Sequence, residues 1–79
     1  MSADADTMIA EILSLILERP VAVGECVMRE EEAGWDSLKH LEIVFAVEAA
    51  LDVTFTPEDM AAIDGTPSLL TTTDARRAS

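Results

Sequence analysis

Two side chains near the middle of the chain have the types that nucleophilic catalysis uses. Ser37 and His40 are three residues apart, a spacing that places both on one face of a helix, and Asp36 precedes the serine. A catalytic triad also needs a third group to orient the base and donors that stabilise an oxyanion, and nothing else in the chain supplies them. We therefore predict no catalytic residue, and we expect His40 on the surface or facing a partner.

Metal binding and thiol chemistry have no matching pattern either. Glu30, Glu31 and Glu32 form a charge run of the kind that is usually solvated, and no EF-hand spacing is present. Cys26 is the only cysteine, so neither an internal disulfide nor a zinc site of cysteine pairs is predicted. We expect the Cys26 side chain to be half-buried and the protein to occupy the reducing cytoplasm.

The charge of the chain narrows the classes of partner. Its 79 residues include 16 acidic and 5 basic side chains, for a formal net charge of −11. Such a surface repels nucleic acid and anionic membranes and attracts basic patches on other proteins. The acidic start of the chain is unlike a secretory leader, and no apolar run approaches the roughly 18 residues of a membrane span. We expect a single, monomeric domain over residues 1–79.

The first half of the chain predicts a helix and a long loop. Apolar residues at three- and four-residue spacing predict a helix from after Ala3 to about Arg19, where Pro20 ends it. Residues 20–35 then form a loop that is long for so small a domain, and such loops are often functional.

The second predicted helix follows this loop. It begins at Asp36 or Ser37, since either residue is a good N-cap, and ends near Asp52. Its apolar arc covers most of its circumference, which predicts a central place in a bundle. The arc consists of Leu38, Leu41, Ile43, Val44, Phe45, Val47 and Leu51.

The remaining residues predict two more helices. Residues 53–55 form an extended connector, because no second strand is available to pair with them. Thr56 and Pro57 begin a short helix to about Ile63, and Thr66 with Pro67 begins the last one. The β-branched residues 71–73 weaken that helix, so we expect its last five or so residues to fray. The predicted fold is all-α, a small antiparallel bundle of three main helices and one short helix.

Residues 34–38, Gly-Trp-Asp-Ser-Leu, bring a serine to the start of the second helix. A phosphate esterified to Ser37 is electrostatically well placed there, because the first N–H groups of a helix and its dipole favour an anion. An ordinary N-cap followed by Leu38 as the first core residue explains the same five residues. Both interpretations stay open on the motif alone.

The wider sequence resembles the acyl carrier protein family. The family pattern is Gly-x-Asp-Ser-Leu, then a mostly apolar helix with acidic residues, then a short loop with an aromatic residue. The match runs without gaps from about residue 33 to residue 63, and the preceding helix and loop have the family's lengths. The matching residues beyond the motif are Leu41, Glu42, Ile43, Val44, Val47, Glu48, Leu51 and Phe55.

The resemblance implies a covalent 4′-phosphopantetheine arm on Ser37, flanked by Asp36 and Leu38. A phosphopantetheinyl transferase attaches the arm from coenzyme A, and the thiol of the arm carries acyl groups as thioesters. The chain itself then catalyses nothing, and it presents its cargo to acyl-loading and acyl-processing enzymes with basic docking patches. The family's partner surface maps onto Leu38, Leu41, Glu42, Phe45 and Glu48.

The chain departs from the fatty-acid members of the family in the second helix. Lys39 stands where many of them have an acid, and Ala49 and Ala50 replace further acids. The resemblance implies a role in fatty acid, polyketide or related specialised biosynthesis. Within that range, these departures argue against recognition by a generic fatty acid synthase and suggest a dedicated partner, in polyketide or another specialised pathway. An aminoacyl or peptidyl carrier is the alternative within the family, and an unmodified interaction module that docks a basic partner is the alternative outside it. For Trp35 we expect packing of the loop against the bundle.

Overall fold

Four α-helices make up most of the protein. The structure, a computed structural model, describes residues 3–78, with side chains from residue 5 to residue 77. The helices are α1 (Ala3–Leu17), α2 (Ser37–Leu51), α3 (Pro57–Ala62) and α4 (Thr66–Ala78), and the loop after α1 contains a 3₁₀ turn at Arg29–Glu31. The described residues contain no β-strand. The prediction of an all-α fold with three longer helices, one short helix and a long first loop is confirmed.

One hydrophobic core joins α1, α2 and α4, and the short α3 contributes to it through the half-buried Met60. Each of the three longer helices buries one face, and all three segments between the helices add further side chains to the core. Trp35 in the long loop is almost fully buried, which confirms its expected packing against the bundle. The buried cluster consists of Ile9, Leu13, Leu17, Val27, Trp35, Ile43, Val44, Val47, Val53, Phe55, Ile63 and Leu69.

A residue in the left-handed conformation follows each of the two longest helices, α1 and α2. Glu18 has a φ of 57° and Asp52 a φ of 55°, the conformation that usually follows the last residue of a helix. The next N–H in each case reaches back five residues, from Arg19 to the Ser14 carbonyl and from Val53 to the Glu48 carbonyl, both at 3.2 Å. These reversals end α1 at Leu17, two residues before the predicted end, and α2 where the sequence predicts.

The long loop is held together by the guanidinium of Arg19. Its Nε and Nη2 donate to Glu32 Oε1 at 3.1 and 2.9 Å, and its Nη1 donates to Glu25 Oε2 at 3.2 Å. The Ala22 N–H and this guanidinium, in that order, lower the pKa of the Glu25 carboxyl. One cation thus joins the beginning, middle and end of the loop.

The loop is also paired with the turn between α3 and α4, a contact that we call the loop–turn pairing (residues 27–29 against residues 64–66). The Arg29 N–H donates to the Asp64 carbonyl and the Thr66 N–H to the Val27 carbonyl, each at 2.9 Å. Gly65 allows this approach, because a Cβ there would lie 2.7 Å from the Val27 carbonyl oxygen. The pairing fixes the 3₁₀ turn relative to the bundle.

A second polar contact ties α3 to α4. Asp59 forms a capping box with Thr56, and both of its carboxylate oxygens accept from the Arg76 guanidinium, at 2.7 and 2.8 Å.

Helix α4 continues through the threonines at 71–73 to Ala78, so these residues do not interrupt it. Thr73 is fully buried, and its hydroxyl has no hydrogen-bond partner among the described residues.

The ion pair between Arg76 and Asp59 should make the stability of the protein depend on pH in the acid range. The Arg76 guanidinium, and next the Thr56 N–H, hold the pKa of Asp59 far below its ordinary value of 3.8. A carboxyl with a lowered folded pKa stabilises the fold above its unfolded pKa and loses that contribution as the pH falls below it. We expect Arg76→Gln to lower the urea midpoint above about pH 4, and the gap to wild type to narrow below pH 4.

Arg77→Gln is the matched control for this experiment. It removes the same charge one residue later, and Arg77 forms no ion pair within residues 5–77. Its urea midpoint should follow wild type across the same pH range. Curves for Arg76→Gln that run parallel to wild type down to pH 2 would contradict the assignment.

Candidate functional site

Ser37 is the first residue of α2, and its side chain is exposed. Of the two N-cap candidates, Asp36 takes the role: its Oδ1 accepts from the Lys39 N–H at 2.9 Å, and its carbonyl accepts from the His40 N–H at 2.8 Å. The cap leaves the Ser37 hydroxyl without a capping role at the positive end of the helix.

The Ser37 hydroxyl has a cationic neighbour from the long loop. Arg29 Nη2 lies 3.4 Å from Ser37 Oγ, eight residues away along the chain. The loop–turn pairing holds the backbone of Arg29, so the guanidinium reaches the serine from an anchored turn. Nothing in the local sequence relates Arg29 to Ser37, so Arg29 is not among the site residues predicted from the sequence.

Arg29 also lines a groove, which we call the Trp35 groove. It has a volume of about 260 Å³. Its lining comes from the 3₁₀ turn, from the residue two positions before Ser37 and from the turn after α3. The lining residues are Met28, Arg29, Glu30, Trp35 and Asp64.

His40 lies inside the protein, and the expectation that it faces the surface or a partner is wrong. Only 7% of it is exposed, and its Nδ1 accepts from Trp35 Nε1 at 3.0 Å. Because an indole N–H can only donate, the imidazole proton is assigned to Nε2, which donates to the Met60 carbonyl at 2.8 Å. Both ring nitrogens are engaged away from Ser37, so the two residues do not form a nucleophile and base pair in this structure.

The helical register could have revealed the burial of His40. It precedes Ile43, Val44 and Val47 by three, four and seven residues, and all three of these are fully buried. Residues at this spacing share one face of a helix. The single face that α2 buries therefore consists of His40, Ile43, Val44 and Val47.

The opposite side of α2 carries an exposed apolar patch, here called the docking face (Leu38, Leu41 and Phe45). These side chains are 64%, 44% and 55% exposed. The expectation that most of the circumference of α2 is buried is therefore wrong, because the helix lies at the edge of the core and not at its centre. Glu42 is exposed beside the patch and pairs with Lys39 at 3.7 Å.

Glu48 and Cys26 have surroundings that differ from those expected from the sequence. Glu48 is half-buried, and its Oε2 accepts from the Phe55 N–H at 2.7 Å, so its carboxylate holds the connector after α2. Cys26 is exposed, which corrects the expectation of a half-buried thiol. Its neighbour Val27 fills the core position instead.

Comparisons of the chain with protein-family models, with curated proteins and with solved structures found no significant match.

Two further findings concern residues 3–78 as a whole. No helix in this part of the chain is both long and apolar enough to cross a membrane. No group of three His, Cys, Asp or Glu side chains converges there in a way that could hold a metal ion.

The bond between Trp35 and His40 is testable by its contribution to stability. Trp35→Phe removes the donor and leaves the buried Nδ1 of His40 unpaired, which should cost about 1–3 kcal/mol in the free energy of unfolding. The same substitution in a His40→Leu background should cost less, since no acceptor is then left unpaired. Urea denaturation of the four proteins measures the coupling, and equal costs in both backgrounds would contradict it.

Proposed function

We propose that the protein is an acyl carrier whose 4′-phosphopantetheine arm is attached to Ser37. The observation that carries the proposal is the environment of the Ser37 hydroxyl: exposed, free of any capping role, and next to the guanidinium of Arg29, a residue that also lines the Trp35 groove. An ordinary N-cap serine would use its oxygen to cap the helix, and here Asp36 does so.

In the attachment reaction the chain itself supplies the Ser37 hydroxyl, and the transferase supplies the base. Ser37 Oγ would bond to the phosphorus of coenzyme A that carries the pantetheine, the pyrophosphate P–O bond would break to release adenosine 3′,5′-bisphosphate, and a base of the transferase would accept the serine proton. The attached arm supplies a thiol that holds an acyl group as a thioester. The chain presents the hydroxyl on a rigid helix start and afterwards presents the cargo.

The residues around Ser37 fit such a group by their chemistry. A phosphodiester needs donors and positive charge, which the Arg29 guanidinium and the first N–H groups of α2 provide. The remainder of the arm combines amides with apolar carbons, and the Trp35 groove combines the apolar Met28 and Trp35 with the carboxylates of Glu30 and Asp64.

The docking face supports the presentation of a cargo to other proteins. Three large apolar side chains exposed on one helix form a patch that favours partner binding, and they begin one residue after Ser37. Exposed Glu42 and the net charge of −11 favour partners with basic patches, which bind quickly and release quickly. We propose a phosphopantetheinyl transferase and acyl-processing enzymes of fatty acid, polyketide or related biosynthesis as these partners, and a monomeric cytoplasmic carrier.

The attachment is tested by intact mass after incubation with coenzyme A and a broad-specificity transferase. We expect a gain of one phosphopantetheine in the wild type and none in Ser37→Ala. Ser79→Ala removes another serine hydroxyl and should be loaded like the wild type. No gain in the wild type with several transferases would overturn the proposal and leave an unmodified interaction module, whose partner binding would persist in Ser37→Ala.

The docking face is tested by comparing a leucine-to-alanine substitution in α2 with the same type of substitution in α1. Leu41→Ala shortens the patch, and Leu15→Ala removes the same atoms from α1, where Leu15 is 79% exposed. We expect Leu41→Ala to lower kcat/KM for loading by the transferase about tenfold, or roughly 1.4 kcal/mol, because apolar area no longer becomes buried on docking. Leu15→Ala should leave it unchanged, and equal losses in both variants would contradict the assignment.

A further inference from the structure

We propose that Arg29 binds the phosphodiester of the arm and directs the arm into the Trp35 groove. This inference rests on the proposed function, since it concerns the arm attached to Ser37. It adds a residue of the long loop to the site, and it assigns an occupant to a groove next to the attachment point.

Of the five cationic side chains, only those of Arg29 and Arg77 form no ion pair within residues 5–77, and of these two it is Arg29 that lies beside Ser37. Arg19, Lys39 and Arg76 each pair with acidic side chains. Arg29 forms no ion pair within residues 5–77, although Glu30 and Glu31 follow it in sequence. Within the described side chains, its guanidinium is hydrogen-bonded to the neutral hydroxyl of Ser37. A cation held beside a neutral oxygen in so acidic a protein is suited to a negative charge that arrives later at that oxygen.

Electrostatics make such a cation useful at this position. A phosphodiester on Ser37 adds a negative charge next to Asp36 in a chain of net charge −11, and the repulsion between them destabilises the loaded form. The guanidinium offsets that repulsion, and its planar set of donors matches two phosphate oxygens at once. Lys39 is a poorer candidate, because its ammonium group pairs with Glu42.

The backbone of Arg29 is fixed before any ligand arrives. Its N–H donates to the Asp64 carbonyl at 2.9 Å, and its carbonyl accepts from the Glu32 N–H at 3.2 Å. Gly65 holds the opposite side of this contact, where added side-chain atoms would collide with Met28. Binding to a preorganised group loses less conformational entropy than binding to a mobile one.

The Trp35 groove accounts for the path of the arm beyond its phosphate. Arg29 lines the groove and contacts Ser37, so an arm that starts at Ser37 and binds Arg29 is already at its mouth. Trp35 offers the groove only apolar atoms, because its single N–H donates to His40. The carboxylates of Glu30 and Asp64 are acceptors for the amide N–H groups of the arm.

The experiment uses the loaded full-length protein, labelled with ¹³C and ¹⁵N while the arm is unlabelled. Samples are kept reduced, because the exposed thiol of Cys26 would otherwise form a disulfide with the arm. In the wild type we expect nuclear Overhauser effects from the geminal methyl groups of the arm to the Met28 methyl and the Trp35 ring. We expect Arg29→Gln to weaken them severalfold and to shift the ³¹P resonance of the phosphodiester.

Two variants serve as controls. Arg77→Gln removes an arginine charge from α4 and should leave both the effects and the ³¹P resonance as in the wild type. Arg29→Lys retains the charge without the planar donors, so its nuclear Overhauser effects and ³¹P resonance should lie between those of the wild type and Arg29→Gln. If Arg29→Gln folds poorly, the comparison of Arg29→Lys with the wild type still tests the role of the guanidinium. The apo spectrum of each variant shows whether the fold is intact.

The outcomes separate this inference from the proposed function. A mass gain on Ser37 without contacts to Met28 and Trp35 overturns the inference and leaves the carrier function standing. Contacts that persist unchanged in Arg29→Gln overturn the role of Arg29. Failure of Ser37 to gain mass overturns both.

Discussion

The pairing of residues 27–29 with residues 64–66 is the contact on which the rest of the site depends. A loop of this length has many conformations, and only tertiary contacts select one of them. The absence of a side chain at Gly65 lets two backbone segments approach closely enough for reciprocal hydrogen bonds. From that contact Arg29 reaches Ser37, and Val27 enters the core while Cys26 beside it faces solvent.

Two arginines join segments of the chain that are separate in sequence. Arg19 follows the end of α1 and joins three parts of the first loop, and Arg76 in the last turn of α4 binds Asp59 in the first turn of α3. Each offsets part of a net charge that opposes compaction. Arg29 differs because its guanidinium contacts a hydroxyl and no carboxylate of the described chain. The proposed carrier function gives that difference a purpose.

The histidine illustrates how one residue type supports two opposite interpretations. Its distance of three residues from Ser37 suggests a catalytic base, yet its ring lies in the core and joins three elements through Trp35 and Met60. This network braces the segment before Ser37 against α2 and α3. A rigid attachment point, with its outer helix face left apolar and exposed, suits a protein that presents a group to others.

Most of the secondary-structure elements were predictable from the sequence alone, because local interactions determine them. Proline, N-cap residues and apolar spacing act within a few residues, so the helices and the extended connector were predictable, as was the position of Ser37 at a helix start. The burial of His40 could also have been predicted, because the helical register places it on the same face as Ile43, Val44 and Val47. The exposure of Cys26, the engagement of Glu48 with the connector and the contact of Arg29 with Ser37 were not predictable. The Glu48 contact depends on how the connector folds back onto the end of α2. The other two depend on where the long loop and a distant turn meet, and that is decided by packing between segments far apart in the chain, which only the tertiary structure specifies.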